Sequence, residues 1–353
     1  MKKIRFAVFA DLHYKKGMYP ASVADLEAIF EHSKENKSEL AVHLGDMCND
    51  YRSSPELVRA YLDNKQGFEV YGVYGNHELE SAGNTMAVVT PLLTNRPESV
   101  MWGSESKKIE SGQIGYYYFD KGDFRFVALD TNYSKRPATS EYEHNREASW
   151  GAPSENLFHD SLGDIQLEWL RSVILEAAEE GKRCIILSHA SFCPCWENSP
   201  DSETVRSIFR EANAKRSGTV LLALNGHYHN NRQATVDEVV YIDVNTVKNG
   251  YWQAERFYAY TEKDESAPEY TFEYTDYDEC GEPRGTRQRR FSSLRMGDRS
   301  LFFKDALSAI VTVDTEGGIS VEGMTTEWAY GIAPKELPLA PELLSISDFN
   351  NKK

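Results

Sequence analysis

Two kinds of apolar run alternate along the first two thirds of the chain. Ile4–Ala10 is a short, β-rich run interrupted only by Arg5. In Ala21–Ser33, Val23, Leu26, Ile29 and Phe30 recur at three- and four-residue spacing, which puts them on one helical face. Leu40–Leu44 is again strand-like. Pro55 suits the first turn of a helix, and Leu57, Val58, Tyr61 and Leu62 follow at helical spacing. Phe68–Tyr74 is a third strand. Tyr116–Asp120 and Phe124–Leu129 flank Lys121-Gly122-Asp123 and read as a hairpin. Asp164–Glu180 carries Leu167, Leu170, Ile174 and Leu175 as an amphipathic helix. Buried strands Arg183–Leu187 and Val220–Leu224 then bracket a helix near Glu203–Ala214.

The last third is β-rich: Val239–Val244, Phe257–Thr261, Tyr270–Tyr274, Ala309–Val313 and Ile319–Val321. Thr315-Glu316-Gly317-Gly318 has the composition of a hairpin turn between the last two. From Pro334 onward a Pro- and Leu-rich tail is expected along the surface, and no internal repeat is present. Strands alternating with helices, followed by a run of strands, predict an α/β fold of two packed sheets with helices outside.

Composition narrows the partners. The chain has 353 residues and a formal net charge of -16. An acidic protein of this kind lacks the basic face that a duplex nucleic-acid binder uses against phosphates, so no nucleic-acid partner is expected. The exception is Arg284, Arg287, Arg289, Arg290, Arg295 and Arg299, read as a solvated connector, with a phosphate-facing patch as the rival. Five cysteines (Cys48, Cys184, Cys193, Cys195 and Cys280) are an odd number with no disulfide spacing. Reduced thiols and a cytoplasmic location are the default. Cys193-Pro194-Cys195 is unusual, though by itself weak evidence for a metal. Lys2 and Lys3 before Ile4–Ala10 imitate a signal peptide, but the apolar run is too short. No stretch is long enough to cross a bilayer, and no membrane partner is expected.

Polar residues gather where strand runs end. Asp11-Leu12-His13, Gly45-Asp46-Met47-Cys48-Asn49, Gly75-Asn76-His77-Glu78, Leu187-Ser188-His189-Ala190 and Gly226-His227-Tyr228-His229 occur in that order. In α/β sheets the carboxyl ends of strands form the ligand crevice, so separate strands deliver these groups to one edge. Carboxylate, imidazole and amide donors suit borderline metals: manganese, iron, zinc or cobalt. An isolated Asp-x-His is usually a surface turn, and an isolated histidine after a strand is usually a hydrogen-bonded core residue. Five blocks in order reverse both readings. His43, inside the strand before Asp46, reads as packing.

In these blocks the chain resembles the calcineurin-like metallophosphoesterase superfamily, whose pattern runs D-x-H, G-D-x-x-D/N, G-N-H-D/E, H, G-H-x-H. The resemblance implies a four-layer α/β/β/α sandwich of two mixed sheets flanked by helices, with a β-rich C-terminal extension. It implies a catalytic unit over 1–275 and an extension over 276–353 packing on the second sheet. It also implies two divalent ions. Asp11, His13, Asp46 and His229 resemble the ligands of one, and Asp46, Asn76, His189 and His227 those of the other. The expected reaction is hydrolysis of a small-molecule phosphate ester by a metal-bridging hydroxide. His77 resembles the outer histidine that contacts the phosphate and protonates the leaving oxygen. Many members carry Asp where this chain has Asn49, and that Asp orients the histidine. Asn49 steers away from purple acid and protein Ser/Thr phosphatases and towards diesterase-like branches. A small phosphodiester or nucleotide pyrophosphate is therefore the first expectation and a phosphomonoester the second. A non-catalytic binding module is the rival from another class, and it would typically lack ligands; none is replaced here.

The polar stretch from Thr131 to Gly163 is long for a loop in a compact domain and is expected to line the substrate pocket. It holds Tyr133, Lys135, Arg136, Tyr142, His144, Arg146 and Trp150. Arg146 or Lys135 would pair with phosphate, and Trp150 would stack on a base or sugar.

Overall fold

The computed structural model describes residues 2–14, 21–48, 54–63, 67–80, 89–103, 115–135, 142–144, 158–196, 199–229, 231–248, 269–277, 283–292, 303–326 and 349–351. Its N-terminal half runs β1 (Lys3–Phe9), α1 (Val23–Glu35), β2 (Leu40–His43), α2 (Ser54–Leu62), β3 (Glu69–Gly72), α3 (Asn76–Glu80), β4 (Met101–Trp102), β5 (Tyr117–Lys121) and β6 (Phe124–Ala128). Then come β7 (Tyr133–Lys135), β8 (Tyr142–His144), β9 (Phe158–Ser161), α4 (Asp164–Glu180), β10 (Arg183–Ser188), α5 (Ser202–Lys215) and β11 (Val220–Asn225). The chain ends with β12 (Arg232–Val236), β13 (Val239–Asp243), β14 (Glu269–Tyr277), β15 (Pro283–Ser292), β16 (Ala309–Asp314), β17 (Ile319–Gly323) and β18 (Phe349–Asn351).

Two mixed sheets carry the fold. The first has the order β18-β17-β16-β1-β2-β3, and the second β12-β13-β11-β10-β6-β5-β4. β1, β2 and β3 are parallel, as are β6, β10, β11 and β13. These inner strands read as nearly continuous apolar runs because both of their faces are covered. Aromatic rings join the sheets face to face. Phe6 of β1 meets Phe126 of β6 edge-on at 5.2 Å, and Tyr71 of β3 stacks on Phe119 of β5 at 3.6 Å. A second cluster, with Leu170 and Ile174 of α4 and Phe209 of α5, buries the outer face of the second sheet through Val127 and Ile186. On the first sheet, Phe30 of α1 packs edge-on to Phe9 of β1. The layers are therefore helix, sheet, sheet, helix.

Several elements depart from the sequence reading. β16 pairs antiparallel with β1, and β17 with β16, so the C-terminal strands extend the first sheet instead of lying on the second. β1 would otherwise present an open edge of unpaired N–H and C=O groups. Part of the arginine run belongs to β15, which pairs with β14 along its length, so it is no connector. Thr131–Gly163 is not one loop: β8, β7 and β9 form a three-stranded antiparallel sheet within it. The expected strand Phe257–Thr261 lies outside the described residues, and so does the tail except for β18. Among the described residues no helix is long and apolar enough to cross a membrane.

His43 shows how tightly the core fixes one group. Its Nε2–H donates to the Leu92 carbonyl at 2.7 Å, and its Nδ1 accepts the Gly45 N–H at 3.3 Å. Burial pushes its pKa down from 6.5 to about 4. Between those values the unfolded chain holds more protons than the folded one, so stability falls as pH drops. At pH 5 the loss from this group is about 2 kcal/mol. Urea unfolding of metal-free protein at pH 7.5 and pH 5 should show His43→Gln losing less than wild type by about that amount. Equal losses would refute the assignment.

Candidate metal centre

Five strands of the two sheets end at one edge. Asp11 and His13 follow β1, Asp46 follows β2, and Asn76 and His77 open α3 after β3. His189 follows β10, and His227 and His229 follow β11. Five of these residues have left-handed backbone: Asp11 (φ 54°), His13 (51°), Asp46 (51°), His227 (74°) and His229 (48°). Non-glycine residues adopt it at a cost of about 1–3 kcal/mol each, so the surroundings must impose it. Backbone bonds do so by lacing the loops together. Asp11 N–H donates to Gly45 O and His13 N–H to Asp46 O, while Thr246 Oγ1 donates to Asp11 O. Gly45 itself sits at φ +92°, and a Cβ on Gly75 would fall 2.1 Å from Asp46 Oδ1. Only glycine lets these two loops approach so closely.

The donor atoms converge in two groups. In one, His13 Nε2 faces His229 Nε2 at 2.9 Å; His229 Nε2 is 3.4 Å from Asp11 Oδ1, and His13 Nε2 is 3.7 Å from Asp46 Oδ2. In the other, His189 Nε2 is 3.1 Å from Asn76 Oδ1, 3.1 Å from His227 Nδ1 and 3.3 Å from Asp46 Oδ2. Asp46 belongs to both. His189 Nδ1 lies 2.7 Å from the Leu44 carbonyl, which fixes that nitrogen as the donor. When that ring is neutral, the lone pair of Nε2 points towards an amide oxygen and a carboxylate. Nitrogens and carboxylates gathered this closely call for positive charge among them, which a proton on His189 or a bound ion supplies. Two nitrogens each about 2.0–2.1 Å from one ion stand about 3 Å apart, as these do.

Electrostatics point the same way. Burial pushes His13 down to about 4. Burial also opposes charge on His189, but Asp46 and Asp11 overcome it and raise the ring to about 10. Asp46 is held well below the usual carboxylate range, chiefly by His189, although burial opposes this. The donor set fits two divalent ions.

His77 stands at the mouth. Its side chain is 28% exposed, as is that of His227, against 1% for His189 and 2% for His229. Its N–H donates to Asp46 Oδ1 at 2.8 Å, and its ring lies edge-on to His13 at 4.7 Å. Its Nε2 is 3.9 Å from Asp46 Oδ2, so it also lies within reach of an ion held by His13 and Asp46. Asn49, Arg146 and Trp150 lie outside the described residues. Lys135 ends β7, and only its backbone is described.

Three features escaped the sequence reading. Glu78 is buried and accepts backbone N–H groups from Asp46, Met47, Cys48 and Gly75 at 2.5–3.0 Å. Its place in the Gly75–Glu78 block was the available signal. Asp160 of β9 brings Oδ2 to 4.0 Å from His227 Nε2. Asp243, buried at the end of β13, accepts Asn225 Nδ2 at 3.0 Å and Arg232 at 2.6 and 2.8 Å. It thereby clamps both ends of the loop carrying His227 and His229. Arg232 lies against the Trp196 ring at 5.0 Å and the Tyr228 ring at 5.2 Å, within cation–π range. Sequence separation hid these contacts.

A model of the calcineurin-like phosphoesterase family matches residues 4–231. No curated protein sequence matches. Among solved structures, a dimetal phosphatase from Danio rerio is similar at 21% identity and a TM-score of 0.53, covering 69% of this chain and 87% of that one. A putative 5'-nucleotidase from Staphylococcus aureus is 13% identical with a TM-score of 0.44, covering 96% of this chain and 56% of that one. At these identities the likeness concerns the fold.

Proposed function

The chain belongs to the calcineurin-like phosphoesterase family, and from that premise we propose that it hydrolyses a small phosphodiester or nucleotide pyrophosphate at this centre. The observation that carries the reading is the convergence of two donor groups on a shared Asp46. Asp11, His13, Asp46 and His229 would hold one ion, and Asp46, Asn76, His189 and His227 the other. Bound there, the ions would polarise phosphoryl oxygens and make a coordinated water acidic near neutral pH.

The chain's own residues supply the rest. His189, held through its Nδ1 by the Leu44 carbonyl, keeps Nε2 aimed inward. His77, partly exposed beside Asp46, is placed to hand a proton to the leaving oxygen. Tyr228, partly exposed against His227, and Trp196, partly exposed on the other side of Arg232, offer apolar surface to the organic part of a substrate. Asn49 in place of Asp supports the diester reading over the monoester one, which remains the second reading. An intact ligand set weighs against a non-catalytic module.

A panel with manganese, cobalt, zinc and iron tests this. It compares bis-p-nitrophenyl phosphate, p-nitrophenyl phosphate, cyclic nucleotides, ADP-ribose and glycerophosphodiesters. Preference for p-nitrophenyl phosphate would move the assignment to a monoesterase, and no turnover with metal-replete protein would overturn it. His77→Ala should retain both ions and lose about 10²–10⁴ in kcat, most for poor leaving groups. Loss of an ion in that variant would make His77 a ligand instead.

A further inference from the structure

Cys193 and Cys195 sit in the turn between β10 and α5, shortly after His189. Two residues apart, their Cα atoms cannot lie more than about 7 Å from each other. Both are free thiols within this one turn. Their exposures differ. Cys195 is exposed, whereas Cys193 is buried, as are Cys48 and Cys184. Burial pushes the Cys193 thiol up to about 12. A dissolved reagent therefore meets Cys195 first.

The same turn is tied to the metal centre. Ser191 Oγ accepts both the Cys193 N–H at 3.1 Å and the Trp196 Nε1–H at 2.8 Å. Trp196, next to Cys195, carries the ring that packs on Arg232. Arg232 packs also on Tyr228, the neighbour of His227, and is anchored to Asp243. A change in the turn thus reaches the loop that presents His227.

We propose that Cys193 and Cys195 form a reversible dithiol–disulfide site that weakens metal binding at the His189–His227 half of the centre when oxidised. The effect on metal rests on the functional reading above; the disulfide itself does not. The oxidant is a low-molecular-weight disulfide such as glutathione disulfide. The Cys195 thiolate attacks one of its sulfurs, forms a mixed disulfide and expels one glutathione thiolate. Cys193, giving up its proton, then attacks the Cys195 sulfur and expels the second. Two protein thiols are oxidised by two electrons, and one small disulfide becomes two thiols carrying the two protons. Closing a ring across a single proline draws the turn tight and displaces Trp196 from Arg232.

The full chain is equilibrated in glutathione buffers of rising disulfide fraction, alkylated and digested. The peptide holding both cysteines should become two hydrogens lighter, with no glutathione retained. Cys193→Ser should stop at a glutathione adduct on Cys195, and Cys195→Ser should gain no internal disulfide. A stable adduct in wild type, or a disulfide to another cysteine, overturns the site. Manganese is then titrated into oxidised and reduced protein, a readout that needs no substrate. One of two ions should bind about ten-fold more weakly after oxidation, the size of effect seen when support of a ligand is lost. The shift should vanish in Cys195→Ser, whose exposed position lets it fold. Equal binding of both ions in the two states overturns the coupling; failure of both states to bind two ions overturns the functional reading instead.

Discussion

Asp46→Asn is expected to abolish tight binding of both ions and to lower kcat/KM by about 10³-fold or more. The two donor groups have a single side chain in common, and its Oδ2 lies 3.3 Å from His189 Nε2 and 3.7 Å from His13 Nε2. Neutralising it removes the one charge that both groups use. Metal ions contribute several kcal/mol of charge stabilisation in such reactions, and each 1.36 kcal/mol is tenfold in rate. The amide keeps the volume of the carboxylate and an oxygen for the His77 N–H, so the metal-free protein should melt within a few degrees of wild type. His13→Ala touches one group only and should weaken mainly one ion. Elemental analysis and manganese titration measure both variants. Two ions bound to Asp46→Asn with wild-type affinity would sink the bridging role.

The ligand blocks were legible because each is contiguous and follows a strand whose apolar run is also legible. Asp11 and His13 after Ile4–Ala10, or His189 after Arg183–Leu187, need no knowledge of distant residues. What the blocks could not carry was pairing between remote segments. Nothing local to Ala309–Asp314 says that it lies beside Lys3–Phe9, a neighbour about three hundred residues away in sequence. β12 was missed because its residues alternate between half-buried and exposed, so no apolar run marks it. β7 and β9 are only three and four residues long, too short for a period to emerge from a polar stretch. Pairing between remote segments also hid Asp160 and Asp243, whose partners lie elsewhere in the sequence. Asp243 looked like the polar end of a strand, and only the fold brings Asn225 and Arg232 onto its two oxygens.

Glu78→Ala is expected to cost about 4 kcal/mol of stability, a large share of the roughly 5–15 kcal/mol that holds a protein together. The side chain is 1% exposed, and its two oxygens are shared between two pairs of donors. Oε1 accepts Met47 and Cys48 N–H, and Oε2 accepts Asp46 and Gly75 N–H. Alanine leaves four backbone donors without this acceptor, and an unsatisfied buried group costs about 1–3 kcal/mol. The sum is not additive, because the loop after Asp46 relaxes once its anchor is gone. That relaxation matters for function. Asp46 sits at φ 51°, and its loop touches the Gly75 turn so closely that no side chain fits there. Without Glu78 the bridging carboxylate is no longer held between the two donor groups, so both ions should bind more weakly, by about 10–100-fold. Burial and the neighbouring Asp46 push the Glu78 carboxyl up to about 7, while the Cys48 and Gly75 donors pull it back. Glu78→Gln separates shape from acceptor strength. Its amide oxygen serves one pair of donors, but its NH₂ opposes the other pair, so it should lose about half as much as alanine. Urea unfolding of metal-free protein gives the stabilities, and manganese titration gives the affinities. If Glu78→Ala unfolds within about 1 kcal/mol of wild type and binds both ions as tightly, the Asp46 loop is held by its glycines and laced backbone alone.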